Sequence, residues 1–408
     1  MKALALSNRN QLRAFTALTA VAVALLSACG GTSSSVTNAP TAAGSSSVTT
    51  SAGGLATTSA ADSATTSAGG EAAPTSPGDG SVTTSAAAGG EKKSDVSVGL
   101  TTSIAGLGDQ GFNDLAAAGV KKAEIDLGVK GTVVESKAET DYVPNLQGFS
   151  DDGTSLVYAV GFLMQDALKE VAQGAPDSKF AIIDANVDLP NVASITFKEE
   201  QGSFLAGAFA ALMTKSAKAG SMRKLKGTMK LGFIGGGDIP LIHKFEEGFV
   251  QGAKAVDPSI QVIVSYVGSF TDAAKGKEFA LTQYNSGADI VYQAAGPTGT
   301  GVIEAAKQLD RYVIGVDADQ NSLAPNNVIT SMQKKVDVAV YDTIKAVADG
   351  TFKPGLTVFG IENGGIGLAP FHGLDSAVPA DVKAQVKSYE DKIKSGKIKI
   401  TLSKKAGG

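Results

Sequence analysis

The stretch KLGFIGGGD spans residues 230–238. Its apolar first half, 230–234, predicts a buried strand, and its glycines lead into an amphipathic helix predicted over 239–256. A strand that turns through glycines into a helix is typical of parallel sheets that helices cover on both faces. The glycines do not complete the dinucleotide-binding fingerprint Gly-x-Gly-x-x-Gly, because Pro240 stands where the third glycine belongs.

The same alternation of short apolar strands and amphipathic helices recurs on both sides of this stretch. One set of strands is predicted at 96–101, 132–136, 156–160, 180–184 and 192–197, and a second set at 230–234, 261–267, 290–293, 312–317 and 328–331. Helices are predicted between them, including 115–127, 203–213, 239–256, 273–283 and 301–309. About 315 residues exceed what one core usually carries, so we predict an α/β fold of two lobes that divide near 197–200.

Polar and glycine residues gather where the predicted strands end. They are Ser103, Asp109, Asp184, 235–238, 268–270, 296–301 and Asp317. In open α/β sheets, ligands bind outside the carboxyl ends of the strands. Because both lobes carry such residues, we expect one ligand in a cleft between the lobes, which closes by hinge motion.

Catalytic chemistry is not indicated. The two histidines, His243 and His372, are far apart and lack zinc-type spacing, and no Gly-x-Ser-x-Gly motif is present. The glycine-rich segment 296–301 has no Lys-Ser/Thr after it, so it is not a phosphate-binding P-loop. We expect a binding protein with no cofactor and no metal, although each glycine cluster taken alone can equally be a simple turn.

The charge of the chain argues against a nucleic-acid partner, because the formal net charge is -4. One stretch of the chain is basic despite this negative net charge. It contains Lys215, Lys218, Arg223, Lys224, Lys226 and Lys230. We interpret it as a solvated loop on the lobe surface.

Two phenylalanines and two aspartates suit a neutral polar ligand with a flat part. Phe112 lies in a loop that enters a helix, and Phe270 follows a strand, so the two rings can clamp a planar base or the apolar face of a sugar. Each ring can alternatively belong to the core. Asp184 and Asp317 end strands and suit ribose hydroxyls or base N–H groups, but helix N-capping is an equal alternative.

Residues 1–28 predict a secretory signal peptide, with a basic start, an apolar run over 14–26 and small residues before Cys29. The sequence Leu-Ser-Ala-Cys at 26–29 looks like a bacterial lipobox, which predicts lipid attachment to Cys29, the only cysteine. Residues 29–94 are rich in Ser, Thr, Ala and Gly, and we interpret them as a flexible tether. An ordinary cleaved signal with an incidental cysteine is the alternative.

Many ordered blocks of residues 96–374 carry a family resemblance. They are 111–113, 158–162, 180–184, 191–197, 199–207, 232–236, 245–249, 266–277, 299–307, 313–320 and 336–342. In these blocks the chain resembles the basic membrane protein (BMP) family of lipoproteins, which includes purine nucleoside receptors of ABC transporters. The resemblance implies a type I periplasmic-binding-protein fold, with two Rossmann-like lobes, three crossovers and a ligand cleft at the hinge.

The resemblance also implies roles for individual residues. Phe112 and Phe270 would sandwich the base, and Asp184 would bond the base edge. Asp317 and Lys334 would bond the ribose. The remaining implied ligand-binding residues are Gly296, Asn113, Asp109 and, near a position where related binders often place a basic residue, His243.

Two departures from the family pattern stand out. Ser103 occupies a position where family members commonly carry Asp, and because Ser both donates and accepts, the base preference can differ. The loop between the lobes is longer and holds the basic stretch, which we expect to lie away from the cleft.

The resulting hypothesis is a lipid-anchored, extracytoplasmic substrate-binding protein that captures a nucleoside, with purines favoured, and presents it to an ABC transporter permease at the cell membrane. We expect a monomer, with lobe 1 at 95–198 and 332–355 and lobe 2 at 199–331 and 356–408. A ribose-like sugar ligand and a sensory or regulatory role on the same fold remain alternatives. Nucleoside hydrolysis is disfavoured, because the first strand does not end in the run of aspartates that would hold a metal.

Overall fold

The computed structural model describes residues 94–217 and 224–407. The predicted signal peptide 1–28, Cys29, the predicted tether up to residue 93, and Lys218 and Arg223 of the basic stretch lie outside the described residues. The other four members of the basic stretch lie within them.

The described chain alternates strands and helices, as the sequence pattern predicts. The strands are β1 Ser97–Thr102, β2 Lys130–Glu135, β3 Leu156–Val160, β4 Phe180–Ile183, β5 Val192–Phe197, β6 Lys230–Gly235, β7 Gln261–Tyr266, β8 Ile290–Ala294, β9 Tyr312–Asp317, β10 Val328–Lys334, β11 Gly355–Phe359 and β12 Ile366–Leu368. The helices are α1 Phe112–Leu127, α2 Tyr142–Asp151, α3 Gln165–Gly174, α4 Glu199–Ala217, α5 Pro240–Val256, α6 Ala273–Asn285, α7 Thr298–Gln308, α8 Val336–Ala348 and α9 Ala380–Lys394.

Two six-stranded sheets organise these elements. The first sheet has the order β11-β5-β4-β3-β1-β2, and its strands pair in parallel. The second sheet has the order β12-β10-β9-β8-β6-β7 and is parallel except for the edge strand β12, which runs antiparallel to β10. The predicted two-lobed α/β fold is therefore confirmed.

The chain passes between the sheets at three places: from β5 to α4 and β6, from β10 through α8 to β11, and from β11 to β12. The predicted lobe boundaries differ from this arrangement at two points. The prediction returned the chain to lobe 1 at residue 332, whereas β10 stays in the second sheet up to Lys334. The prediction ended the second segment of lobe 1 at residue 355, whereas β11, Gly355–Phe359, still pairs with β5 of the first sheet. The last crossover therefore begins after Phe359, because this strand completes the hydrogen-bonded edge of the first sheet.

Helix α4 directly follows the first crossover and is almost wholly buried. It packs so closely against α5 that a Cβ added at Gly207 or Gly252 would overlap the backbone of the facing helix. Gly248 makes the same close approach to Glu200 at the start of α4. These close approaches fix the two helices relative to each other, and the first turns of both lie next to the space between the two sheets.

Across residues 94–217 and 224–407, we find no helix with the length and apolar character needed to cross a membrane.

Candidate functional site

A cleft of about 710 Å³, partly open to solvent, lies between the carboxyl ends of strands from both sheets. Nine of the ten candidate ligand-binding residues line it: Ser103, Asp109, Phe112, Asn113, Asp184, Phe270, Gly296, Asp317 and Lys334. The fold therefore brings together the polar and aromatic residues that the sequence places at the ends of separate strands.

Asp109 shapes the loop that enters α1. Its Oδ1 accepts hydrogen bonds from the backbone N–H groups of Gly111 (2.9 Å) and Asp114 (3.1 Å), and its Oδ2 accepts from that of Asn113 (2.7 Å). Burial raises the pKa of this carboxyl, although the three backbone hydrogen bonds oppose the rise. Both oxygens are thus occupied by the start of the helix, so Asp109 positions Phe112 and Asn113 in the cleft wall.

Ser103 and Asn113 form a buried polar pair. The Nδ2 of Asn113 lies 3.2 Å from the Oγ of Ser103, and the backbone N–H of Ser103 donates to the Oδ1 of Asn113 at 3.3 Å. The same Nδ2 also reaches Asp109 Oδ2 at 3.2 Å. The Oγ of Ser103 in turn donates to the Oδ1 of Asn113 at 3.3 Å, so this network fixes both the amide of Asn113 and the Ser103 hydroxyl in the cleft wall.

Lys334 is the centre of a buried ionic cluster. Its Nζ lies 2.6 Å from Oδ2 of Asp184 and 3.1 Å from Oε1 of Glu199, and all three side chains are at most 4% exposed. Burial alone would lower the pKa of Lys334, but the charges of Asp184, Glu199 and Asp317 outweigh it and raise the pKa above its usual value. The ammonium therefore stays charged inside the protein.

Asp184 keeps one free acceptor in this cluster. Burial raises the pKa of its carboxyl, although the nearby charge of Lys334 opposes the rise. Its Oδ1 is buried and has no hydrogen-bond partner among the described residues. An unpaired buried acceptor is costly, so an N–H or O–H group from a ligand would stabilise it.

Asp184 and Asp317 hold similar places in the two sheets. Asp184 directly follows β4 and Asp317 ends β9, and each has a left-handed backbone, with φ of 68° and 61°. Non-glycine residues rarely adopt this conformation, and such strain concentrates at binding sites. Burial raises the pKa of Asp317 to about 7, because desolvation outweighs the attraction of Lys334.

Aromatic rings supply the apolar wall. Phe112 comes from the first lobe and Phe270 from the second, and both line the same cleft. Phe270 lies against Gly236, where an added Cβ would overlap the ring. The glycine cluster after β6 therefore serves close packing of this aromatic ring.

Sequence reasoning missed several apolar residues of the cleft lining, including three large side chains. Phe245 and Leu241 of α5 and Phe162 after β3 line it, and the Lys334 ammonium lies 5.8 Å from the ring centre of Phe245. These side chains follow the helical or strand spacing of core residues, so nothing in their pattern separated them from the core. Glu199, which contacts Lys334 from behind the cleft wall, also carries no local signal of a role at the site.

His243, the tenth candidate, is not among the cleft-lining residues. Its ring belongs to a neighbouring polar cluster, with Nε2 2.8 Å from Asp238 and Nδ1 3.2 Å from Glu246 and 2.8 Å from the Tyr266 hydroxyl. It lies on the first turn of α5, directly after Ile242, which lines the cleft. The structure thus places this imidazole behind the wall, where its ring nitrogens already have partners.

The described part of the basic stretch also lies outside the cleft lining. Lys215 pairs with Asp257 at 3.1 Å, and Lys224 donates to the backbone oxygen of Asn326 at 2.8 Å. The backbone of Lys226 donates to Asp289. These contacts fix the segment to the second lobe. The predicted loop is shorter than the basic stretch, because Lys215 lies in α4 and Lys230 begins β6.

The sequence profile of the family described as "Bmp: ABC transporter substrate-binding protein PnrA-like" matches residues 96–404. This match covers both sheets and every residue that lines the cleft. The chain belongs to the Bmp family. The resemblance inferred from the sequence blocks is confirmed, and Bmp proteins bind substrates for ABC transporters rather than acting as enzymes.

Relatives of this Bmp protein agree with that assignment. The "ABC transporter nucleoside-binding protein BmpA" of Lactococcus lactis subsp. cremoris is 36% identical over 334 residues, which cover 76% of this chain and 90% of the relative. A solved ABC transporter solute-binding protein from Aeropyrum pernix K1 is 30% identical with a TM-score of 0.70, covering 76% of this chain and 94% of that one. A solved transcriptional activator of the comK gene from Bacillus halodurans is 25% identical with a TM-score of 0.61, covering 73% and 98%.

Proposed function

We propose that this Bmp protein captures nucleosides, with purines preferred, outside the cytoplasm and delivers them to an ABC transporter permease. The observation that carries the proposal is the composition of the cleft. Phe112 and Phe270, from opposite lobes, line it together with Asp184, Asp317 and Lys334. Flat aromatic walls suit a nucleobase, and carboxylate and ammonium groups suit the hydroxyls of a ribose.

The free acceptor of Asp184 supports a ligand with a hydrogen-bond donor, such as a base N–H or a sugar hydroxyl. The apolar lining by Phe112, Phe245 and Phe270 supports a ligand with a flat, weakly polar face. A nucleoside offers both features in one molecule, whereas free ribose lacks the flat ring. The relative from Lactococcus lactis, which is named a nucleoside-binding protein, supports the same ligand class.

We further propose that lipid on Cys29 anchors the protein to the membrane, and that residues 29–94 tether the two lobes to that anchor. Several acyl chains on one cysteine provide firm attachment, since each buried methylene contributes about 0.8 kcal/mol. Ligand binding then closes the lobes, and the closed form is the one that the permease recognises.

A regulatory role is the second candidate, because the solved protein from Bacillus halodurans is named a transcriptional activator. In that role the protein would still bind a ligand in the cleft, but it would pass on a signal instead of the ligand. Uptake of labelled nucleoside by cells with and without the gene distinguishes the two roles. A transport protein raises uptake, and a regulator leaves the initial uptake rate unchanged.

The experiment that tests the ligand class is isothermal titration of the full-length protein in mild detergent, after unfolding and refolding to remove any carried-over ligand. Guanosine, adenosine, inosine, uridine and ribose are titrated in turn. We expect tight binding of the purine nucleosides, weaker binding of uridine and no heat with ribose. Binding of ribose alone would move the proposal to sugar uptake, and equal affinity for uridine would remove the preference for purines.

A further inference from the structure

The cleft holds more acidic groups than basic ones. Among its lining residues, Asp109, Asp184 and Asp317 carry carboxyl groups, and Lys334 is the residue that carries a positive charge. A phosphorylated ligand would bring about two further negative charges into this space. The charge balance of the cleft therefore bears directly on which nucleosides and nucleotides it admits.

The charge of Lys334 is already shared between two carboxylates. Asp184 lies on the cleft side at 2.6 Å, and Glu199, which is not a lining residue, lies at 3.1 Å with a side chain that is 1% exposed. The ammonium of Lys244 lies 3.6 Å from the other carboxylate oxygen of Glu199. Asp184, Glu199 and Asp317 thus outnumber these two ammonium groups even when Lys244 is counted.

Two helix N-termini near the cleft, the other common phosphate-binding feature, are also occupied. At α1, the carboxylate of Asp109 accepts hydrogen bonds from the backbone N–H groups of Gly111, Asn113 and Asp114. At α7, the N–H groups of residues 298, 299 and 300 donate to the backbone oxygens of Phe270, Gly296 and Pro297. Neither helix offers these N–H groups to an anion in the cleft.

We propose that Glu199 is a specificity-determining residue: by sharing Lys334 with Asp184, it leaves the cleft with an excess of negative charge that excludes phosphorylated nucleosides. This inference rests on the proposed nucleoside function and deepens it. Glu199 acts through Lys334 and does not touch the ligand, so its role is to set the charge that the ligand meets. Like charges brought together in a desolvated site strongly weaken binding.

Because phosphorylated nucleosides are excluded, one class of reaction must act on them before this protein can bind the product. Nucleotides outside the cell cannot be captured as they are, so a phosphate-ester hydrolysis must first release the nucleoside and inorganic phosphate. In that step water attacks phosphorus, the P–O bond to the ribose oxygen breaks, and the ribose oxygen gains a proton. The product is the uncharged ligand that this cleft accepts.

The test is titration of the full-length protein in mild detergent at pH 8 with inosine and with inosine 5′-monophosphate. Burial raises the pKa of Asp317 to about 7, so that carboxyl is ionised at pH 8. For the wild type we expect the monophosphate to bind at least about 100-fold more weakly than inosine. In Glu199→Gln we expect this ratio to fall about tenfold, because one negative charge is removed. Glu362→Gln, an exposed carboxylate at the last crossover, is the matched control and should keep the wild-type ratio.

Lys244→Gln provides a second variant if Glu199→Gln fails to fold. Removing this ammonium takes away one positive charge beside Glu199. The ratio of the dissociation constant of the monophosphate to that of inosine should therefore rise above the wild-type ratio. The inference is overturned if the wild type binds the monophosphate as tightly as inosine, or if neither variant changes the ratio. Binding of neither compound would instead overturn the proposed function itself.

Discussion

The Nζ of Lys334 lies 2.6 Å from Oδ2 of Asp184, and this ion pair joins the two sheets of the protein. Lys334 ends β10 of the second sheet, and Asp184 follows β4 of the first. The same ammonium reaches Glu199 at the first residue of α4, directly after a crossover. One buried group therefore lies both at the cleft and beside a crossover between the two sheets.

Replacing Lys334 tests the energetic weight of this cluster. Lys334→Met removes the positive charge and leaves Asp184 and Glu199 buried with fewer counter-charges. We expect the free energy of unfolding at pH 8 to fall by about 3–5 kcal/mol, because an uncompensated buried charge is strongly destabilising. Urea unfolding followed by circular dichroism measures this change.

Two further variants test whether this loss of unfolding free energy comes from the unpaired buried charges. Lys383→Met, whose partner Asp375 is exposed, should change stability by no more than about 1 kcal/mol. Adding Asp184→Asn and Glu199→Gln to Lys334→Met should restore part of the stability, since Asp317 is then the one carboxyl acting on position 334 that can still be charged. A single Lys334→Met variant as stable as the wild type would show that these three side chains do not form a buried ion network.

A methyl group at Gly236 should disturb the cleft without adding a polar contact. The Cβ of Gly236→Ala would overlap the ring of Phe270, which must then move. We expect inosine to bind at least about tenfold more weakly, because the aromatic wall is displaced. Gly148→Ala is the matched control, since an added Cβ there meets no atom within 4 Å. Unchanged inosine affinity in Gly236→Ala would count against Phe270 as a ligand contact.

Truncation of the other aromatic wall tests the predicted base sandwich. Phe112→Ala should weaken inosine binding about 10- to 100-fold, since stacking of a base on an aromatic ring contributes about 1–3 kcal/mol. Phe352→Ala, a partly buried phenylalanine that is not a cleft-lining residue, serves as the control. Isothermal titration provides both affinities. If Phe112→Ala and Phe352→Ala bind inosine equally well, Phe112 does not stack on the base.

The raised pKa of Asp317 predicts a pH dependence of stability. The unfolded carboxyl ionises near its usual value of 3.8, whereas burial raises the pKa in the folded protein to about 7. Between these values the folded state binds more protons than the unfolded state, so this group makes the protein less stable as the pH rises. Asp317→Asn should therefore reduce the loss of unfolding free energy between pH 5 and pH 8 by about 2 kcal/mol.

Urea unfolding of ligand-stripped protein at the two pH values measures this difference. Asp184 also has a raised pKa, so part of the pH dependence should remain in the variant. A pH dependence identical to that of the wild type would mean that Asp317 titrates near its ordinary value in the folded protein.

The alternation of short apolar runs with amphipathic helices was sufficient to predict both parallel sheets, because buried strands and their covering helices leave different periodicities in the sequence. The edge strands β11 and β12 were missed for a physical reason. In β11 every residue from Gly355 to Val358 is exposed, so no buried apolar face marks it. β12 has only three residues, and its pairing with β10 depends on tertiary contacts.

For the site, residue type at strand ends identified most of the cleft, but not the relationships between its side chains. The sequence suggested Asp109 as a ligand-binding residue. It does line the cleft, but nothing in the sequence indicated that its oxygens also hold the first turn of α1. The sequence also suggested His243, whose ring contacts a separate polar cluster instead. The left-handed backbone of Asp184 and Asp317 and the link from Glu199 to Lys334 depend on long-range packing, which no local pattern encodes.

The most direct test of the account is titration of the wild type and of Asp317→Ala with inosine, with circular dichroism to show that both are folded. Asp317 lines the cleft at the end of β9 and is the carboxylate expected to bond the ribose. The account predicts tight binding by the wild type and no measurable binding by a folded Asp317→Ala. Tight inosine binding by the folded variant would contradict the assignment of this cleft as the nucleoside site.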